Sequence, residues 1–306
     1  MDHPLSRRSF LASSAAISSA ATLSGCLGGK DPEQQVEEHR ESLERYADVA
    51  TTVEEGYRTA ATYVHSDDGT LGETLINFDV PELEPDTPQV VFYALDEDGQ
   101  YVPLGCKWFV NAEERDSAPS LFGKSFRGPI ESDVPFLDRH YALHVWTFED
   151  NPDGMFARYH PAIDPPPYLE TLRAARGAIS ELATGGKAED RGYHNTEQCI
   201  PGDGGIYGVP FVREKGDVTG GTDPTNPPIV LYRVTENWSY VLLGAEWYRP
   251  VDAVDEPSTM FGQQFHEPMA SHSGKTAQPE HYGLHAWLYR TNPRGMFAPF
   301  NPVAVC

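Results

Sequence analysis

Lysine is scarce in this chain. Six lysines (Lys30, Lys107, Lys124, Lys187, Lys215 and Lys275) stand against 46 Asp and Glu, and the formal net charge over 306 residues is -23. Phosphate backbones are bound by clustered Lys and Arg, and no such cluster exists, which disfavours nucleic acid as a partner. No apolar run reaches the about 20 residues that a bilayer-spanning helix needs; Leu11 to Leu23 is too short and too rich in serine. Also missing are a G-x-S-x-G elbow, a P-loop, a G-x-G-x-x-G fingerprint, an EF-hand loop and a CxxC pair. None of these signatures therefore assigns an activity. What remains is an acidic chain with 39% hydrophobic residues, 15 Tyr, 14 Phe and 5 Trp, enough to build a substantial core.

The first residues carry an address. Ser6-Arg7-Arg8-Ser9-Phe10-Leu11 leads into a soft apolar run that ends at Leu23-Ser24-Gly25-Cys26. A charged start, a short apolar middle and small residues before a break describe an export signal. The Arg7-Arg8 pair resembles the twin-arginine signal, a receptor-read address and not an anchor. Leu-Ser-Gly-Cys looks like a lipobox, which implies removal of residues 1–25 and lipidation of Cys26. Residues 26–32 are then a tether, and the expected location is the outer face of the cytoplasmic membrane, held through that lipid. The leader carries Asp2, Arg7 and Arg8, so the remainder is more acidic still. Strong self-repulsion of this kind is tolerated in multimolar salt, where charges are screened within about 3 Å or less. High carboxylate, little lysine and this leader together look like a secreted protein of a halophilic archaeon. Outside the cell, Cys106, Cys199 and Cys306 make an odd set, one bridge and one spare thiol. Cys106 falls in an apolar run and suits burial, so the expected bridge joins Cys199 to Cys306.

The chain states most of its sequence twice. Val90-Val91-Phe92-Tyr93, Leu104-Gly105-Cys106-Lys107-Trp108-Phe109 and Leu121-Phe122-Gly123 recur 139 residues later as Ile229-Val230-Leu231-Tyr232, Leu243-Gly244-Ala245-Glu246-Trp247-Tyr248 and Met260-Phe261-Gly262. His140-Tyr141-Ala142-Leu143-His144-Val145-Trp146 and Asn151-Pro152-Asp153-Gly154-Met155-Phe156-Ala157 recur 141 residues later as His281-Tyr282-Gly283-Leu284-His285-Ala286-Trp287 and Asn292-Pro293-Arg294-Gly295-Met296-Phe297-Ala298. A period this long describes two domain-sized copies, not a solenoid. The spacing predicts a helix over Glu33–Glu55 and another from Leu169 to Leu182, stopped at Gly185-Gly186. Strands are predicted over 89–95, 101–110 and 142–148, and over 229–234, 240–248 and 283–289. Gly202 to Pro228 reads as long surface loop. The expected fold class is α+β: two tandem repeats, 33–163 and 164–306, each a helix followed by antiparallel hairpins, packed about a pseudo-twofold axis.

The recurring His-Tyr-x-Leu-His-x-Trp is the chemical candidate. Side chains alternate along a strand, so Tyr141, Leu143 and Val145 face one way and His140, His144 and Trp146 the other; Tyr282, Leu284 and Ala286 likewise oppose His281, His285 and Trp287. The second face, two imidazoles with a small residue between them and an indole beside them, is a candidate ligand groove. Metal is the alternative. Four residues of strand span roughly 13 Å, far beyond metal–nitrogen bonds of about 2 Å, so one ion is expected to take one histidine of each pair. His272, with His281 or His285 and with His266 as a further candidate, would complete such a site; Asp133 stands at the position matching His272. The bland reading has these histidines bonding loop carbonyls and packing on the Trp to hold the Asn-Pro-x-Gly-Met-Phe turn. Asn-Pro-x-Gly is turn chemistry.

Taken together, these motifs resemble an uncharacterised family of exported lipoproteins of haloarchaeal twin-arginine type. The resemblance covers most of both copies and implies no activity. The expected function is a non-catalytic, surface-anchored module that binds a small ligand or an envelope partner, with a metal-binding protein or metal-dependent enzyme, using a divalent ion on the second-repeat histidines, as the alternative.

Overall fold

The computed structural model describes residues 30–132, 138–213, 221–269 and 280–305. The leader, Cys26, Asp133, His272 and Cys306 lie outside these residues. The chain is mixed α and β, mostly antiparallel strands with few helices. No helix among the described residues is long and apolar enough to cross a membrane.

Helices open each half. Asp31 accepts from the Glu33 N–H and Pro32 sits in the first turn, a start that satisfies one orphan donor and wastes none. The single helix expected over Glu33–Glu55 is instead α1 (Pro32–Glu38), α2 (Arg40–Glu44), a 3₁₀ turn (Arg45–Ala47) and α3 (Val49–Glu54). It breaks because Asp48 adopts an extended backbone and its carboxylate accepts from the Ala50 and Thr51 N–H groups, an alternative to helix that Asp favours. The apolar period still holds: Val36, Leu43, Tyr46, Val49 and Val53 are all buried. In the second half α4 (Leu169–Ser180) buries Leu172, Ala175 and Ile179. Gly185-Gly186, expected as a stop, opens α5 (Gly185–Asp190), because the Thr184 hydroxyl accepts from the Lys187 N–H.

The first sheet runs in the order β1 (Arg58–Ser66), β2 (Gly69–Ile76), β3 (Val90–Leu95), β4 (Tyr101–Asn111), β8 (His140–Val145), β7 (Arg127–Ile130), with β5 (Ser120–Leu121) and β6 (Lys124–Ser125) as a separate small arm. The second sheet holds β9 (Tyr193–Asn195), β10 (Ile200–Gly202), β11 (Gly205–Arg213), β12 (Ile229–Val234), β13 (Tyr240–Pro250), β16 (His266–Met269) and β17 (His281–Ala286). Its order is β10-β11-β12-β13-β17-β16 with β9 also on β11, and β14 (Thr259–Met260) and β15 (Gln263–Gln264) form the matching arm. The expected loop over Gly202–Pro228 is thus corrected: β11 runs through it, with Tyr207, Val209 and Phe211 buried. Its glycines disguised it. Gly208 (φ +102°) leaves no room for a side chain, since a Cβ would lie 2.8 Å from the Tyr232 carbonyl; Gly72 (φ +93°) stands in the same relation to the Tyr93 carbonyl.

Both faces of each sheet are covered. On the first sheet Val91, Tyr93, Cys106, Trp108, Leu143 and Val145 meet the helices, while Phe92, Leu104 and Trp146 form the opposite cluster. Burial pushes the free Cys106 thiol up to about 12, whereas Cys199 is held in a disulfide. On the second sheet α4 and α5 cover Val209, Phe211, Tyr232 and Trp247, and Tyr63 and Leu95 of the first sheet belong to that same cluster. The halves share one core.

Contacts between the halves are not reciprocal. The tip of the β3–β4 hairpin docks on the Asn292–Ala298 turn: the Met296 N–H donates to the Gly99 carbonyl at 2.9 Å and Gln100 Nε2 to the Arg294 carbonyl at 3.2 Å. Among the described residues the tip of the β12–β13 hairpin makes no answering hydrogen bond to the Asn151–Ala157 turn, and Trp238 at the position of Gly99 is 84% exposed.

Candidate functional site

The recurring motif lies on β8 and β17, and its alternation is as expected: Leu143 and Val145 face the helices, whereas His144 and Trp146 lie against Phe92 on the other face, with ring centroids 6.5 and 5.0 Å away. The open groove is not found at these side chains. His140, His144, Trp146, His281, His285 and Trp287 are all buried, because the tail of each half folds over that face. Trp146 donates from Nε1 to the Ala157 carbonyl at 2.8 Å and Trp287 to the Ala298 carbonyl at 2.6 Å. Their backbone N–H groups bond the Met155 and Met296 carbonyls, each at 2.9 Å. The tryptophans hold the Asn-Pro-x-Gly-Met-Phe turns in place.

Around the second pair of histidines the structure gathers groups that the sequence did not nominate together. Strand pairing sets Glu246 directly across from His285. Glu246 Oε1 is 3.6 Å from His281 Nε2 and 3.7 Å from His285 Nε2, and Tyr207 donates its hydroxyl to Oε2. Both imidazoles thus face one carboxylate. Tyr248 and Tyr207 close the cluster, with ring centroids 4.9 Å from His281 and His285 respectively. His266 stacks 6.2 Å from His285 and sets Nε2 3.2 Å from the Phe297 carbonyl. Among the described residues no group of three or more His, Cys, Asp or Glu is placed to hold a metal ion, and His272 lies outside them.

The two halves carry opposite charge at this place. Burial alone would push the Glu246 carboxyl up, but the facing imidazoles of His285 and His281 and the Tyr207 hydroxyl overcome it and hold the group below its usual range. Burial and that carboxylate drive the Tyr207 hydroxyl well above its own. In the first half the residue across from the histidine is Lys107, paired with His144. Burial, then Lys107, Arg158, His140 and Arg127, hold His144 well below the ordinary imidazole value. The sign follows. Below about pH 6.5 the unfolded chain takes up a proton at this position that the native chain refuses, so stability is lost on acidification. His144→Gln is expected to flatten the fall in unfolding free energy between pH 7 and pH 5 by up to about 1.4 kcal/mol per pH unit, read by urea titrations at fixed high salt.

Sequence reasoning missed Glu246, Lys107 and Tyr207 as members of the site. The signal was present, because Lys107 and Glu246 are the only charged residues inside two matching apolar runs.

It also missed a buried ion pair between the halves. Arg176 on α4 donates from Nη1 and Nη2 to the two Glu73 oxygens at 3.0 and 2.7 Å and from Nε to the Leu288 carbonyl at 3.2 Å; Thr59 Oγ1 donates to Glu73 Oε1 at 2.8 Å.

No family model, curated protein or solved structure matches the chain. A functional reading must come from its own geometry.

Proposed function

We propose that this protein is exported by the twin-arginine route, anchored through lipid on Cys26, and serves on the outer face of the cytoplasmic membrane as a non-catalytic binding module. We read it as two copies of one helix-and-sheet unit, in which the turn after the last strand is the binding surface and a β-hairpin tip of an envelope partner is what it takes. One observation carries this reading: the second turn already holds such a tip, from the β3–β4 hairpin of the same chain, and among the described residues no such tip sits on the first turn. Gly295 is packed against Gln100, whereas Gly154 at the matching position has nothing within 4 Å of a Cβ placed on it. Met296 and Phe297 are buried and Met155 and Phe156 half-buried.

The duplication is supported by polar contacts that recur in register. Tyr93 donates to the Tyr46 carbonyl and Tyr232 to the Leu182 carbonyl; Trp108 donates to the Glu84 carbonyl and Trp247 to the Asp223 carbonyl. A Cys199–Cys306 bridge is favoured by the path of the tail, since Asn301 pairs with Ile206 beside the strand that follows Cys199.

The test replaces Asp153, exposed on the open turn, with a photo-crosslinking amino acid in the full chain expressed in its own cells. Illumination is expected to join the chain to a protein, and a crosslinker at exposed Glu41 to yield none. Only uncrosslinked chain from position 153 refutes the binding reading. In the same cells Cys26→Ser is expected to move the protein from the membrane fraction to the medium; retention on the membrane refutes the anchor.

A further inference from the structure

We propose that the partner at the first turn is a second copy of this chain, inserting the tip of its β12–β13 hairpin, so that molecules assemble head to tail. The proposal rests on the binding reading above and names its partner. Within the chain, the tip Asp96–Gln100 sits on the second turn: beyond the Gly99 and Gln100 contacts already described, Gln263 Nε2 donates to the Glu97 carbonyl at 2.5 Å. Each half has one tip and one turn. One tip and one turn meet inside the molecule, which among the described residues leaves a tip at Thr235–Ser239 and a turn at Asn151–Phe156. A contact of this heterologous kind does not close on itself, and repeating it between molecules generates an open chain or a ring.

The free tip is built for contact. It has the fold of the docked one: the Asp96 N–H bonds the Gln100 carbonyl and the Gly99 N–H the Asp96 carbonyl, just as Thr235 bonds Ser239 and Trp238 bonds Thr235. Trp238 takes φ +61° where Gly99 takes +75°. For a bulky residue that conformation is an unfavourable outlier, yet the indole it projects is 84% exposed while Trp108, Trp146, Trp247 and Trp287 are buried. A side chain held at that cost and left in water is explained by something that covers it.

The free turn is complementary. Lys124 occupies the place of Gln263, is exposed, and lies 5.5 Å from the centre of the Phe156 ring. On the incoming tip, Glu236 occupies the place of Glu97. The register that sets Gln263 on the Glu97 carbonyl inside the molecule sets the Lys124 ammonium on the Glu236 carbonyl between molecules, a cationic donor brought to an acidic tip in a chain otherwise short of lysine. Atom-for-atom repetition is ruled out, since Gly99 fits beneath Phe297 only for want of a Cβ, which would lie 2.6 Å from the ring. Trp238 instead meets the half-buried Phe156 and Met155 with its indole. So small a patch gives a weak contact in solution, strengthened where anchoring to one surface raises the effective concentration.

Sedimentation equilibrium of the full chain in molar salt, where mutual repulsion of the acidic surfaces is screened, decides the matter. The weight-average mass is expected to rise about twofold or more between roughly 10 and 500 µM. Trp238→Asn, which removes the indole and tolerates the backbone conformation, and Lys124→Glu, on the opposite partner, are each expected to stay monomeric. Mixed one to one, they are expected to form dimers that grow no further, because the first retains an intact turn and the second an intact tip. A wild-type chain that remains monomeric over this range overturns the proposal, as does a mixture that fails to associate. Binding of monomers to neutral phosphatidylcholine vesicles, lost in Trp238→Asn, overturns it in favour of a membrane role for the indole. In the crosslinking experiment a product of twice the chain mass supports it; a product of any other mass refutes it and leaves the binding reading standing.

Discussion

Arg176→Met is expected to cost about 3–5 kcal/mol of unfolding free energy, read by urea titration followed by circular dichroism. Glu73 and Arg176 are almost completely shielded, with side-chain exposures of 1% and 7%, and removing the guanidinium leaves a carboxylate in the interior with only the Thr59 hydroxyl to answer it. The second half shows what the position tolerates without the charge: aligned through the shared glycines Gly72 and Gly208, Glu73 corresponds to Val209, buried among apolar neighbours. The double variant Glu73→Val, Arg176→Met is therefore expected to recover most of the loss, since an ion pair in the interior is seldom better than a well-packed apolar pair. A double variant as unstable as the single one would show that the Arg176 bond to the Leu288 carbonyl, not the ion pair, carries the stability. That bond has its own counterpart, for Arg40 donates to the Thr147 carbonyl at 3.0 Å in the first half.

Trp287→Ala is expected to cost a similar 3–5 kcal/mol, while Trp287→Phe, which keeps most of the packing and loses the bond to Ala298, is expected to cost about 1–3. The residue ties the last turn of the chain to the second sheet through both its indole and its own N–H, and it completes the cluster with Leu231, Leu243 and Tyr248. Trp238→Ala is the control. With its indole in solvent, the change is expected to stay within about 0.5 kcal/mol. Equal losses at Trp287 and Trp238 would mean that the assignment of buried and exposed indoles is wrong.

The strands that the sequence makes legible are those with an apolar run between turn signals: β3, β4, β12 and β13 lie within two residues of their predicted spans. Those it hides carry glycine or polar residues where the backbone bulges. β1 and β2 pair with a register shift between Thr59 and Tyr63, and β11 contains Gly205, Gly208 and Pro210. Periodicity also gave the correct inward face for β8 and β17, Leu143 and Leu284 being buried among apolar neighbours. It gave no hint that the other face would be roofed over, because the roof is the chain nine or more residues downstream. The Glu246 cluster was unreadable for a related reason: its members come from β11, β13 and β17, and only cross-strand register brings them together.

The sharing of one apolar cluster between the sheets has a mechanical meaning. Tyr63 and Leu95 sit among residues of α4 and the second sheet, so the proline run at 165–167 is no hinge, although its composition suggests a spacer. Pulling the halves apart would strip oil from oil on both sides at once. Shared packing of that kind opposes separate motion of the two sheets, and so holds the β12–β13 tip and the Asn151–Phe156 turn at one separation.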